Sequence, residues 1–415
     1  MACLYQFFIY FYSAVANIAA LFNPKARLWV DGRKQLVTRI KHEVVTESPL
    51  VWFHCASLGE FEQGRPVIEA LKKQFPNIKI LLTFFSPSGF EVRKKYNHAD
   101  WVYYLPIDTK KNARELIDHL KPVLVVFVKY EFWFNYMDVL YQNKIPTLFL
   151  SVIFRPSQHF FKAWGGWFRR QLHKITFFFV QDELSAELLK KAGINNFEVV
   201  GDTRFDRVVE LSKQLHRFPE IELFKQDSRL IVGGSTWPID ENLLLEVLKN
   251  TSSETKLLLA PHLVDDNHIT AIVNKYSAFN PVLYTNLKSG IPEYSRVLIL
   301  NTIGLLSQLY PYTELAYIGG GFGVGIHNLP EAATYGIPVV FGPNHQRFKE
   351  ANDLKNLGGG FSVNNQKEGV ETISRLLSNE DERNLAGKAA REYIHNHAGA
   401  TLKIVKMAAE YLGRS

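Results

Sequence analysis

Residues 51–85 read VWFHCASLGEFEQGRPVIEALKKQFPNIKILLTFF. Val51–Ala56 and Ile78–Phe85 are short, unbroken apolar runs, and Gly64–Gln74 between them has the apolar period of a helix. A strand, a helix and a second strand in that order form one β-α-β unit of a parallel sheet.

The alternation continues through the chain. Further strand candidates in the first half are Trp101–Leu105, Val123–Val128, Thr147–Ile153, Ile175–Val180 and Phe197–Val200. Helical stretches Asn112–Leu120, Asn135–Gln142 and Leu184–Ala192 separate them, and Pro122 and Pro146 stand just before strands, where a missing N–H costs little. Around residues 207–228 the pattern loosens into a charged helix and a polar stretch holding Pro219. A second series then runs Leu230–Gly233, Lys256–Ala260, Val282–Tyr284, Val297–Leu300, Leu315–Ile318, Pro338–Phe341 and Gly360–Val363. Helical stretches Glu380–Tyr393 and Ala400–Leu412 close the chain. These patterns predict an α/β fold of two Rossmann-like domains around a cleft, with ligands bound outside the C-terminal ends of the strands. The expected division is a membrane-associated helix at 1–24, a first domain at 25–206, a linker at 207–228, a second domain at 229–395 and a final segment at 396–415.

A length of 415 residues suits two domains, and 47% hydrophobic with 21% charged residues excludes a disordered chain. The net charge of +7 favours anionic partners such as acidic lipid headgroups or phosphorylated substrates. No zinc-finger spacing, RNP-like strand or long Lys/Arg tract occurs, so nucleic acid is set aside. Two cysteines, Cys3 and Cys55, make no disulfide framework and point to reducing surroundings.

Residues 1–24 carry no charged side chain. As one helix they would extend about 36 Å, enough to cross a hydrocarbon core. Lys25, Arg27, Arg33, Lys34, Arg39 and Lys41 follow, which predicts that the remainder stays in the cytoplasm. A cleaved signal peptide fits Ala14-Val15-Ala16 but has its positive charge on the wrong side. An interfacial helix is the stronger rival, given Gln6, Ser13 and Asn17.

Several strand ends carry candidate chemistry. Ser57-Leu58-Gly59-Glu60 follows the first strand; Glu60 can accept a proton from a sugar hydroxyl, yet Ser57-x-x-Glu60 is also a capping box, which spacing alone favours. Gly59 lets backbone approach a ligand. Glu131 and Asn135 follow Val123–Val128 in an apolar neighbourhood, as acceptor-side groups or as helix-start caps. Arg204, in Gly201–Asp206, can bind phosphate or pair with Asp202 or Asp206. Gly233-Gly234-Ser235-Thr236-Trp237 is a modest anion-site signal. The most informative stretch is 319–333, with five glycines within seven positions and then His327, Asn328 and Glu331. Free N–H groups of Gly319, Gly320 and Gly321 suit a phosphate, and Glu331, one turn from Asn328, suits a ribose diol. No Asp-x-Asp pair or metal-ligand histidine spacing occurs, so no metal is expected.

Ser57-Leu58-Gly59-Glu60, Glu131-Phe132-Trp133 with Asn135, Asn301-Thr302-Ile303-Gly304, Gly319-Gly320 with His327-Asn328-x-x-Glu331, and Pro338–Pro343 together resemble the Kdo transferases. That family attaches 3-deoxy-D-manno-octulosonic acid (Kdo) to the lipid A precursor with CMP-Kdo as donor substrate. The resemblance covers nearly the whole chain. It implies a GT-B fold, metal-independent inverting transfer without a cofactor, and Glu60 as the base, reversing the choice that spacing favours. It also implies a donor site of Arg204, Ser235, Thr236, Gly319, Gly320, Gly321, His327, Asn328 and Glu331, a final helix returning to the first domain, and residence at the cytoplasmic face of the bacterial inner membrane. This chain departs from the family at Trp237 (where Ser-Thr-His is usual), at His262-Leu263 (Arg-His) and at Lys129-Tyr130 (Glu-Thr). The rivals are a GT-B enzyme using a UDP-sugar, as transferase or epimerase, and a non-catalytic lipid-binding protein of the same fold.

Overall fold

The computed structural model describes residues 1–413 except 215, 290, 292 and 293. Residue 215 of the expected linker and residues 414–415 of the final segment lie outside the described residues. The chain divides into two compact units, Met1–Asp206 with Ala398–Ser415, and Arg207–His397.

The first unit holds a sheet of β1 (Leu50–Cys55), β2 (Lys79–Phe84), β3 (Trp101–Tyr104), β4 (Leu124–Val128), β5 (Thr147–Val152), β6 (Phe177–Val180) and β7 (Phe197–Val199). Its order is β3-β2-β1-β4-β5-β6-β7 and its pairings are parallel. Side chains alternate between two faces. Trp52, Val125, Phe127 and Phe149 build the core on one side, while Val51, Phe53, Val126 and Leu150 build it on the other. Both faces are covered, so β1, β4 and β5 are buried along their whole length and read as continuous apolar runs.

The second unit repeats the plan. Its strands are β8 (Arg229–Thr236), β9 (Thr255–Pro261), β10 (Val282–Leu283), β11 (Val297–Ile299), β12 (Leu315–Ile318), β13 (Val339–Phe341) and β14 (Gly360–Ser362), in the order β10-β11-β9-β8-β12-β13-β14. Ile231, Leu257, Ile299, Tyr317 and Val340 pack with Leu244 and Val247 of the helix Pro238–Lys249. In each sheet the first strand lies inside, and the winding reverses beside it, between β1 and β4 and between β8 and β12. Such switch points are where open α/β sheets bind ligands.

Every strand expected from the sequence is present, with small shifts at the ends. The segment 207–228, expected as a linker, holds most of the helix Thr203–Lys213 and all of the helix Pro219–Lys225. The uncharged stretch 1–24 is not one helix. The helix Ala2–Ala19 ends where Asn23 caps a second helix, Pro24–Asp31, accepting from the Lys25 and Ala26 N–H groups at 2.9 and 3.2 Å. Arg27 donates to the freed Ala20 carbonyl at 3.2 Å. By length and composition Ala2–Ala19 can cross a membrane, and none of its residues is buried. Tyr5 holds it to the first unit, donating to Asp108 at 2.5 Å and meeting Phe134 edge-on.

The helix Ala400–Leu412 also belongs to the first unit. Asp206 accepts from the Thr401 N–H at 2.8 Å and its hydroxyl at 2.9 Å, and Ile404, Val405, Ala408 and Leu412 join the core beside Phe61 and Leu71. Ile404→Ala removes a fully buried side chain. It is expected to cost about 2–4 kcal/mol in the urea unfolding transition of the first unit, and a loss below about 1 kcal/mol would show that the helix is not part of that core.

Candidate active site

In the first unit, β1 ends at Cys55 and the helix Leu58–Gln74 begins with Ser57 as its N-cap. Glu60 lies in the first helical turn. Its Oε2 accepts from the N–H groups of Ala56 at 2.5 Å and Ser57 at 3.2 Å, satisfying donors that the helix start leaves free. Oε1 makes no hydrogen bond to the described residues, so the cap occupies one oxygen and leaves the other to accept a proton. Burial, and next the charge of Glu131, push the Glu60 carboxyl up to about 7, against the Ala56 N–H, the Lys129 charge and the Ser57 N–H. A carboxyl so placed titrates near neutrality, as a general base requires. No protein atom lies within 4 Å of a Cβ built on Gly59, so the fold itself gives no packing reason for glycine there.

Glu131 sits across the switch point, after β4. Its Oε2 accepts from Trp133 Nε1 at 2.7 Å and lies 3.1 Å from His54 Nε2. His54 is fully buried in β1, and its Nδ1 meets the Thr83 carbonyl at 3.1 Å and the Thr83 hydroxyl at 2.9 Å. Ser57, Gly59, Glu60 and Glu131 therefore share one region. Asn135 does not face it: its Nδ2 donates to the Asp108 carbonyl at 2.5 Å, and its N–H to the Asp108 carboxylate at 3.1 Å. Arg204, grouped with the donor residues on sequence grounds, lies in the first unit. Its Nε and Nη2 reach Asp202 Oδ2 at 2.9 and 2.8 Å, and Asp202 also receives Gln63 at 3.0 Å.

In the second unit, β8 carries a register shift between Gly234 and Thr236, and Ser235 there adopts the left-handed region at φ 53°. Bulges of this kind re-aim side chains beside sites. The Thr236 hydroxyl is buried without a hydrogen-bond partner. The glycine-rich stretch departs from its expected use. The Gly319 N–H donates to the Gly234 carbonyl and the Gly320 N–H to Asp240 Oδ2, both at 2.9 Å, so neither is open to a phosphate. The glycines serve close approach instead. A Cβ on Gly319 would lie 2.3 Å from the Ser235 carbonyl oxygen, and one on Gly321 would lie 2.5 Å from the Gly342 nitrogen. Loops after β8, β12 and β13 thus meet backbone to backbone.

His327 joins this cluster, 3.2 Å from Trp237 Nε1. Asn328 Nδ2 donates to Glu331 Oε1. Burial raises the Glu331 carboxyl to about 7, against the Arg207 charge and the Asn328 bond. Sequence reasoning missed Asp240, which holds the Trp237 N–H at 2.9 Å, the Gly320 N–H at 2.9 Å and the Tyr317 hydroxyl at 2.7 Å. Its signal was the spacing Trp237-x-x-Asp240, again that of a helix start. His54 was missed as well, although a histidine inside an otherwise apolar buried strand marks a polar partner beneath the sheet's end. Among the described residues no cluster of three or more His, Cys, Asp and Glu side chains is placed to hold a metal.

The family model described as 3-deoxy-D-manno-octulosonic-acid transferase (kdotransferase) matches residues 31–207. The chain is 28% identical over 338 residues to the 3-deoxy-D-manno-octulosonic acid transferase of Aquifex aeolicus, covering 79% of this chain and 86% of that one. It is 28% identical over 400 residues to the enzyme of the same name from Chlamydia pneumoniae, covering 92% and 91%. The UDP-GlcNAc 2-epimerase of Neisseria meningitidis, solved with UDP-GlcNAc, superposes with a TM-score of 0.60 at 17% identity over 88% of this chain and 100% of that one, a likeness of fold alone. Two wound parallel sheets of the GT-B type and the acidic pair at the first switch point accompany these likenesses: over residues 31–207 the chain matches the Kdo transferase family model, and over most of its length it is similar to enzymes of that name.

Proposed function

We propose that the protein transfers Kdo from CMP-Kdo to a glucosamine hydroxyl of a lipid A precursor, with inversion, without a metal or cofactor, and with Glu60 as the base. One observation carries the reading. Glu60 stands at a switch point with Oε1 uncommitted and its carboxyl raised to about 7, so at neutral pH it is both ionised in good part and basic enough to take a hydroxyl proton. The acceptor oxygen forms its bond to the anomeric carbon of Kdo as its proton passes to Glu60. The bond from that carbon to the phosphate oxygen breaks, and CMP leaves with the electron pair. Ser57, Gly59 and Glu131 line the acceptor side. Ser235, Thr236, His327, Asn328 and Glu331 hold the nucleotide, and the Gly319–Gly321 turn, its first two N–H groups engaged within the protein, lets the loops around them approach closely.

The helix Ala2–Ala19, with Lys25, Arg27, Arg33 and Lys34 after it, supports attachment at the cytoplasmic face of the bacterial inner membrane, where an acylated acceptor resides. The direct experiment incubates purified protein with CMP-Kdo and lipid A precursor, and weighs the products by mass spectrometry. Product formed with UDP-sugars and not with CMP-Kdo would overturn the donor assignment.

Glu60→Gln is expected to lower kcat/KM about 10²–10⁴-fold, the usual worth of a general base, with CMP affinity within about twofold of the parent. Near-normal turnover would remove Glu60 from the role. The sign of the pH effect follows from the active form being the carboxylate. Activity is lost as pH falls through about 7 and levels off above it, which a kcat/KM profile between acidic and mildly alkaline pH reads directly. Gly321→Ala, which drives a methyl group into the Gly342 backbone, should weaken CMP binding at least about tenfold, measured by calorimetry.

A further inference from the structure

Three rings of the second unit meet at the end of β8. Trp237 Nε1 lies 3.2 Å from His327 Nε2. His262 is stacked on both, with centroids 4.7 Å from Trp237 at 23° and 4.4 Å from His327 at 20°. The indole and the His327 imidazole therefore meet at their nitrogen edges, with His262 stacked on both. Gly320, in the left-handed region at φ 88°, closes against the same imidazole: a Cβ there would lie 3.0 Å from His327 Cδ2 and 3.1 Å from Nε2.

The chemistry of the contact is one-sided. An indole N–H donates and cannot accept. His327 Nε2 must then present its lone pair, and a neutral imidazole with a bare Nε2 carries its one proton on Nδ1. A charged imidazolium would turn an N–H toward the indole N–H and lose the bond. Burial, and then the nearby His262, hold the His327 pKa below the usual histidine range, in the same sense. His327 Nδ1 makes no hydrogen bond to the described residues, so its proton remains available to a ligand.

We propose that Trp237 is a positioning residue, whose indole N–H fixes His327 as the neutral Nδ1–H tautomer so that this imidazole donates to a phosphate oxygen of the nucleotide donor. The proposal rests on the second unit holding that nucleotide. It gives His327 one defined direction of donation. A free imidazole, by contrast, divides its proton between two nitrogens and would have to reorganise on binding.

The test uses the full chain with ring-15N histidine, the His327 signals being identified by their loss in His327→Gln. At pH 7.5 the wild type is expected to show a protonated Nδ1 and an unprotonated Nε2 at His327. Trp237→Phe keeps an aromatic plate against His262 and removes only the N–H. It should shift His327 toward the Nε2–H form and raise the Kd for CMP about tenfold, with kcat changed by less than about threefold. A wild-type His327 protonated on Nε2, or a tautomer unmoved by Trp237→Phe, overturns the proposal, and the wild-type spectrum needs no variant to fold. An Nδ1–H His327 in a protein that fails to bind CMP overturns instead the nucleotide reading of the second unit, and with it the ligand-directed role of the bond.

Discussion

Each sheet sends its first strand into a helix whose opening N–H groups need acceptors, and in each unit a carboxylate at the third helical position supplies them. In the second unit the acceptor is Asp240, almost fully buried, with both oxygens engaged by Trp237, Gly320 and Tyr317. It ties the helix start to the turn after β12, and three hydrogen bonds take up most of its acceptor capacity. In the first unit the acceptor is Glu60, half-buried, with one oxygen capping and the other uncommitted. The same local solution to the same backbone constraint thus yields a structural joint in one unit and a candidate base in the other. What separates them is how completely the surrounding loops close over the carboxylate.

Closure also sets the electrostatics. Glu60 feels Glu131 across the switch point, and that repulsion adds to burial in keeping the proton on. Lys129 works against both, held at φ 62° just past β4. Two other non-glycine residues in the left-handed region, Ser151 and Ser235, also sit at or beside strand ends, each at a register shift. Backbone conformations that cost free energy persist only where the neighbouring structure over-determines them. At Lys129, Ser151 and Ser235 such backbone lies at or beside strand ends, where the sheets present side chains to the loops.

The strands were legible because both faces of each sheet are covered. A strand such as β4 has no polar face to offer, so it reads as an unbroken apolar run that no surface helix would show. The Ser57-x-x-Glu60 capping box was legible because a helix start is a local event. Other features escaped for physical reasons. The uncharged stretch 1–24 reads as one helix because hydropathy carries no record of where a cap will form, and Asn23 with Pro24 divides it. The glycines of 319–325 read as a phosphate cradle because glycine exposes N–H groups; in the structure Gly234 and Asp240 occupy two of them. Asn135 was visible as a polar group after a strand, yet its partner Asp108 comes from a separate loop; for Arg204 the pairing with Asp202, two residues away, was one of the readings the sequence left open.

By itself, the order of residues determined the alternation of strand and helix, the doubling of that pattern, the places where polar groups follow strand ends, and the family those groups resemble. These depend on period, propensity and spacing along one stretch of chain. Only tertiary structure decided which of two helix-start carboxylates keeps an oxygen free, which N–H groups of a glycine turn are already bound, and that Trp237, His262 and His327 share one stack. Each of these is settled by loops far apart in sequence arriving at the same strand ends. Hydrogen-bond capacity there is finite, and a group already satisfied by a neighbour has nothing left for a substrate.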